Sequence, residues 1–178
     1  MWPGGTVDDR KMHKQMSRRS HARDRLDFAD SLKEGHDPGS PVIPALRYAD
    51  APAAIRFLCQ AFGFEVQASY EDADDPHIIH HAQLVLGEGM VMLGSARDGE
   101  AESLYSWTTP RELGGVTACI YVVVPDADAH CLHARNEGAV VVSEPHDNDG
   151  YPGRGYEALD PEGNVWSFGT YDPWAHFA

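Results

Sequence analysis

The chain has 178 residues, 42% hydrophobic and 24% charged, with 28 Asp/Glu against 14 Lys/Arg and a net charge of −14. That acidity excludes nucleic acid and anionic membrane surfaces as partners, since both demand basic surface, and no apolar run approaches the roughly 18 residues of a membrane span. Three widely spaced cysteines (Cys59, Cys119, Cys131) with no CxxC pair predict a reduced, cytoplasmic protein rather than a disulfide scaffold.

The charge is unevenly spread. Residues 1–40 carry eight basic and seven acidic side chains, whereas residues 41–178 carry six arginines, no lysine and 21 acids, a net of −15. The first 40 residues have few large apolar side chains and no sustained period. They read as a disordered or partly helical extension, because such composition buries too little to offset the entropy of ordering. The acidic part, residues 41–178, is the predicted domain.

From Pro41 the patterns become regular. Val42–Tyr48 reads as a strand, with Pro44 placing it at an edge or a strand start. Asp50 stands as an N-cap before Pro52, and Ile55, Leu58, Cys59 and Phe62 recur at helical spacing up to the stop at Gly63. Phe64–Tyr70 fits a second strand. After the acidic loop Glu71–Pro76, two strands (Ile79–Leu86 and Met90–Gly94) flank Gly87-Glu88-Gly89 as a hairpin.

The same order then recurs. Thr117–Val124 is a β-branched strand, Asp126 caps a helix that runs to about Glu137 and stops at Gly138, and Val140–Ser143 is a short strand. Tyr156–Leu159 and Asn164–Gly169 flank the turn Asp160-Pro161-Glu162-Gly163. The spacings from Asp50 to Asp126, Gly63 to Gly138, Gly89 to Gly163 and Gly94 to Gly169 are 76, 75, 74 and 75 residues. Four independent punctuation marks agree, so one βαβββ unit is written twice: module one at 41–95, a linker at 96–115 and module two at 116–172. Each unit is too small to bury its own sheet, which predicts an α+β fold with a curved eight-stranded mixed sheet around a shared cleft.

The stretches Asp50–Leu58, Ala61–Phe64, Val124–His130, Glu137–Ala139 and Asp160–Gly169 carry a resemblance to the vicinal oxygen chelate superfamily of glyoxalases, bleomycin-resistance proteins and extradiol dioxygenases, in particular its glyoxalase-like branch. The resemblance covers about residues 41–172. It implies a divalent metal held by His and Glu side chains, one from the first and one from the last strand of each module. At the matching positions this chain has Ile43, Met92 (or Leu93), Cys119 and Ser167, none of them an imidazole or carboxylate, so no metal or other cofactor is expected.

Ten histidines invite a substitute site. His80 and His81 are adjacent on a strand and point to opposite faces. His130 and His133 read as a solvated helix face, and His146 lies in a predicted Pro145–Pro152 loop at the cleft mouth. Cys119 is expected to face the cleft as a small buried residue rather than as a nucleophile, with no cationic neighbour to lower its pKa. Arg47 shares a side of the first strand with Ile43 and suits a carboxylate or phosphate. Tyr121 shares the side of Cys119, Trp107 sits in the linker where a loop could cover the cleft, and Trp166 reads as core under the second helix.

The chain is therefore predicted to bind a small, cationic or aromatic molecule without a metal, in a cleft lined by Ile43, Arg47, Met92, Cys119, Tyr121 and Ser167. A homodimer is what the resemblance implies. The alternative is a metal-dependent lyase or dioxygenase with ligands from unexpected positions such as His77, His80 or His146. Catalytic residues and ligand identity are not legible in the sequence.

Overall fold

The computed structural model describes residues 41–96 and 107–175; the extension predicted for residues 1–40 and residues 97–106 of the linker lie outside the described residues. Module one comprises β1 (Ala45–Tyr48), α1 (Ala51–Phe62), β2 (Glu65–Glu71), β3 (Ile79–Leu86) and β4 (Gly89–Ser95). A short linker helix, α2 (Pro110–Leu113), precedes module two: β5 (Cys119–Val123), α3 (Ala127–Asn136), β6 (Val140–Asp147), β7 (Arg154–Leu159) and β8 (Val165–Gly169). None of the described helices is long and apolar enough to cross a membrane.

Local chemistry sets the element ends. The Asp50 carboxylate accepts from the Ala53 amide at 2.9 Å and the Asp126 carboxylate from the Ala129 amide at 3.0 Å, each satisfying an otherwise orphaned donor of a first helical turn. Gly63 ends α1 in the left-handed region at φ 80°, where a side chain would be strained. Gly87 at φ 56° makes the two-residue turn of the predicted β3–β4 hairpin.

The predicted single eight-stranded sheet is instead two four-stranded sheets, ordered β1-β4-β3-β2 and β5-β8-β7-β6. In each, the first strand runs parallel to the last and the other pairs are antiparallel. No ladder joins β1 to β5 among the described residues. The strand predicted over Val42–Tyr48 is cut to four residues, because Pro44 has no amide to donate and only its carbonyl takes part, accepting from the Met92 amide at 2.8 Å. Conversely β6 continues to Asp147 through Pro145, which an edge strand tolerates because one of its sides needs no donors.

The modules share one core. Leu58 and Phe62 of α1, Leu84 and Leu93 of the first sheet, and Tyr156, Trp166 and Phe168 of the second are fully buried. Phe62 lies 5.4 Å from Trp166 and 4.8 Å from Phe168, and Phe64 lies 5.6 Å from Trp166 (ring centroids). Trp166 is thus core as predicted, but its aromatic neighbours come from the end of module one's helix.

The Asp160–Gly163 turn fastens the junction. Buried Asp160 accepts from the Tyr48 hydroxyl (2.8 Å), the Trp166 indole (3.2 Å), the Asn164 side-chain amide (2.9 Å) and the Glu162 and Asn164 backbone amides (both 3.0 Å). Glu162 accepts from the Ala49 and Asp50 amides at 2.7 and 2.8 Å, which closes the entrance to α1.

Of the two histidines read as a solvated face, His133 is exposed but His130 is half-buried, and both bridge the modules. The His133 Nε2–H donates to the Gln60 carbonyl (2.8 Å) and the His130 Nε2–H to the Phe62 carbonyl (3.4 Å). A carbonyl only accepts, so the proton of neutral His130 sits on Nε2 and Nδ1 accepts from the Tyr156 hydroxyl at 2.6 Å. Burial holds the His130 pKa below its ordinary 6.5, the Phe62 carbonyl opposing and His133 reinforcing the shift. The unfolded chain therefore binds a proton here before the folded one does, and folding stability is lost as pH falls below about 6.5. His130→Gln, which keeps a donor for Phe62, is expected to flatten the decline in thermal midpoint between pH 7 and pH 5; an unchanged slope would show that His130 does not titrate in this range.

Candidate functional site

In each sheet one face packs on the helices and the other stays open, as strand alternation requires. On the module-one sheet, Ala45 pairs with Met92, Met92 with Gln83 and Arg47 with Gly94, so these residues share the open face. Leu93 is fully buried on the other side, which fixes the register left open by the sequence in favour of Met92. Ile43 is half-buried and lies ahead of β1. The Arg47 guanidinium carbon stands 4.9 Å from the centre of the Trp107 ring. Nearby, His81 meets the Gln83 side chain at 3.2 Å and the Tyr70 ring at 6.1 Å.

On the module-two sheet, Tyr121 pairs with Ser167, Ser167 with Glu157 and Cys119 with Val165. The Ser167 hydroxyl donates to Glu157 at 3.4 Å, and the Tyr121 hydroxyl to the Tyr171 carbonyl at 2.8 Å. Tyr121 reaches it by lying across Gly169, where an added Cβ would come within 2.5 Å of the phenol oxygen. Cys119 is exposed rather than buried as expected, yet partial desolvation pushes its thiol pKa up, the Ser167 backbone amide partly countering and the Glu157 charge adding to the rise. The thiol therefore stays protonated at neutral pH, which gives no support to a nucleophile. The structure thus gathers Arg47 and Met92 on one sheet and Cys119, Tyr121 and Ser167 on the other.

Ile43, Met92, Cys119 and Ser167 offer no imidazole or carboxylate to a metal. Among the described residues no three His, Cys, Asp or Glu side chains converge on a common point. His80 faces away from His81 and pairs with Asp72 at 3.0 Å. The Asp72 carboxylate caps its own acidic loop by accepting from the Asp74 and Asp75 amides (2.9 and 3.2 Å), and these bonds hold its pKa below the usual range. His146 lies in β6 rather than in a loop, its Nδ1 bonded to the Glu144 carbonyl at 2.8 Å. A separate cavity of about 370 Å³ between the linker helix and the β7–β8 turn is lined by Pro110, Arg111, Val140, Leu159 and Glu162, and includes none of the predicted site residues.

Residues 42–168 match the Glyoxalase/Bleomycin resistance protein/Dioxygenase superfamily, and the chain belongs to that superfamily. Uncharacterized protein Mb0911c of Mycobacterium bovis and uncharacterized protein Rv0887c of Mycobacterium tuberculosis are each 35% identical over 126 residues, which is 71% of this chain and 80% and 71% of theirs. Among solved structures, TioX from Micromonospora sp. ML1 is 29% identical with a TM-score of 0.58, over 74% of this chain and 98% of that one. Glyoxalase I from Zea mays is 18% identical with a TM-score of 0.53, over 71% of this chain and 43% of that one, a likeness of fold alone. The superfamily scaffold carries several chemistries, so the reading of function rests on the site residues themselves.

Proposed function

We propose that this protein binds a small aromatic molecule on the open faces of its two modules, without a metal, and that the binding site is completed in a homodimer. The observation that carries this reading is the make-up of those faces. Met92, Trp107, Cys119 and Tyr121 supply apolar and aromatic surface, and Arg47, Gln83 and Ser167 supply a few polar anchors, which is the usual composition of a small-molecule site. The positions that would hold a metal carry an alkyl group, a thioether, a thiol and a hydroxyl instead.

Support for a second copy comes from exposed apolar side chains at both edges of the module-two sheet, Tyr121 (44% exposed) and Val123 on β5 and Val140 and Val142 (53% exposed) on β6. A cytoplasmic location fits the three cysteines, none of which forms a disulfide. A thermal-shift panel of small aromatics and cationic glycopeptides, read beside sedimentation, tests the reading. We expect a dimer whose midpoint rises with at least one aromatic compound. A monomer that no compound stabilises would overturn it.

A further inference from the structure

We propose that Arg47 and Trp107 form an anchor for the carboxylate of a planar aromatic acid. This rests on the small-molecule reading above and names the chemistry of the ligand. Arginine is scarce in the domain and acids are abundant, so ion pairing is the expected fate of each guanidinium. Arg135 is held by both oxygens of Glu144 at 2.7 Å, Arg154 by Asp128 and Asp147 at 2.6 and 3.1 Å, and Arg111 donates to the Pro161 carbonyl at 2.7 Å. Neither Arg47 nor Arg56 donates to a carboxylate or carbonyl among the described residues, but Arg56 is exposed on α1, whereas Arg47 is half-buried on the open face of module one.

Its position is built. The side chain lies along Gly94, where an added Cβ would come within 2.8 Å of Nη1 and within 3.0 and 3.2 Å of the His80 and Ile79 carbonyl oxygens. Glycine at 94 therefore gives the guanidinium its path across the sheet. The charge lies against the Trp107 ring and its N–H donors are left for an acceptor, an arrangement that suits a carboxylate approached bidentately. Trp107 and Met92 offer apolar surface beside it for the rest of a flat molecule. The overall negative charge does not forbid an anion, because repulsion beyond a Debye length of about 8 Å is screened at physiological salt, whereas the Arg47 contact is direct.

The test is calorimetric titration of the full chain with 1-naphthoate, 1-naphthamide and 1-naphthylmethylammonium at physiological salt. Naphthoate is expected to bind about tenfold more tightly than the other two, a difference of about 1.4 kcal/mol. Arg47→Met should bring naphthoate to the level of the amide, and Arg47→Lys should restore only part of the preference because an ammonium lacks the planar fork. Equal affinity for all three compounds would overturn the carboxylate anchor and leave small-molecule binding standing. Binding of none would overturn both. Arg47→Met that separates the two copies yet keeps the preference for naphthoate would assign Arg47 to the contact between copies and overturn the anchor.

Discussion

Replacing Asp160 by alanine is expected to cost about 4 kcal/mol, since removing one member of a buried charged network costs about 3–5 kcal/mol. The carboxylate is 3% exposed and accepts from five donors, and alanine would leave the Tyr48 hydroxyl and Trp166 indole buried without it. Burial and the nearby Asp160 charge drive the Tyr48 phenol pKa far up, so this hydroxyl always arrives as a donor. Asp160→Asn should recover part of the loss, because an amide keeps one acceptor but turns a donor toward donors. Tyr48→Phe should cost only about 1–2 kcal/mol, a single charge-assisted bond. Urea unfolding measures all three, and an Asp160→Ala cost below that of Tyr48→Phe would show that the turn is not the fastening point between modules.

Phe62→Ala is the second large effect, with about 4 kcal/mol expected for removing a fully buried ring. The ring contacts Phe57 of its own helix at 5.1 Å and both Trp166 and Phe168 of the other module. Its loss therefore weakens the shared core as well as one helix. Phe62→Leu, which fills much of the space, should cost well under half as much. In the wild type the two modules should unfold in one transition; in Phe62→Ala the urea dependence should broaden as module two loses its cover. A sharp, single transition with the same slope would show that the modules are coupled elsewhere.

Much of this fold is legible because its signals are local. Asp50 and Asp126 cap the helices named for them, Gly63 and Gly87 turn the chain where their φ values are needed, and the duplicated spacing yields two equivalent sheets. The linker helix was equally readable: Thr109-Pro110-Arg111-Glu112 is a capping box, with the Thr109 amide donating to Glu112 at 3.0 Å and the Glu112 amide to Thr109 Oγ1 at 3.3 Å. What escaped was non-local. Helical spacing shows that His130 and His133 share a side of α3 but not that carbonyls of α1 lie opposite, and nothing local ties Trp107 to Arg47, which is 60 positions away. The separation into two sheets depends on whether β1 and β5 pair at their free edges, and alternation within a strand carries no information about that.

For the site, strand alternation placed Arg47, Met92, Cys119, Tyr121 and Ser167 on faces that the structure leaves open. It could not supply their partners. The Tyr121 hydroxyl is engaged by the Tyr171 carbonyl and the thiol of Cys119 is held in its neutral form, so these two present an aromatic ring and a small apolar group rather than reactive centres.

The most direct test of ligand binding on these faces is the methionine methyl spectrum of the full chain labelled with ¹³C at the methionine methyls. The Met92 signal is assigned by Met92→Leu and followed through titration with an aromatic compound that raises the thermal midpoint. Met92 sits at the centre of the module-one open face, between Ala45 and Gln83. Its methyl resonance is predicted to shift progressively and saturate with the same midpoint as binding. Saturable binding that leaves the Met92 methyl unmoved would contradict the account.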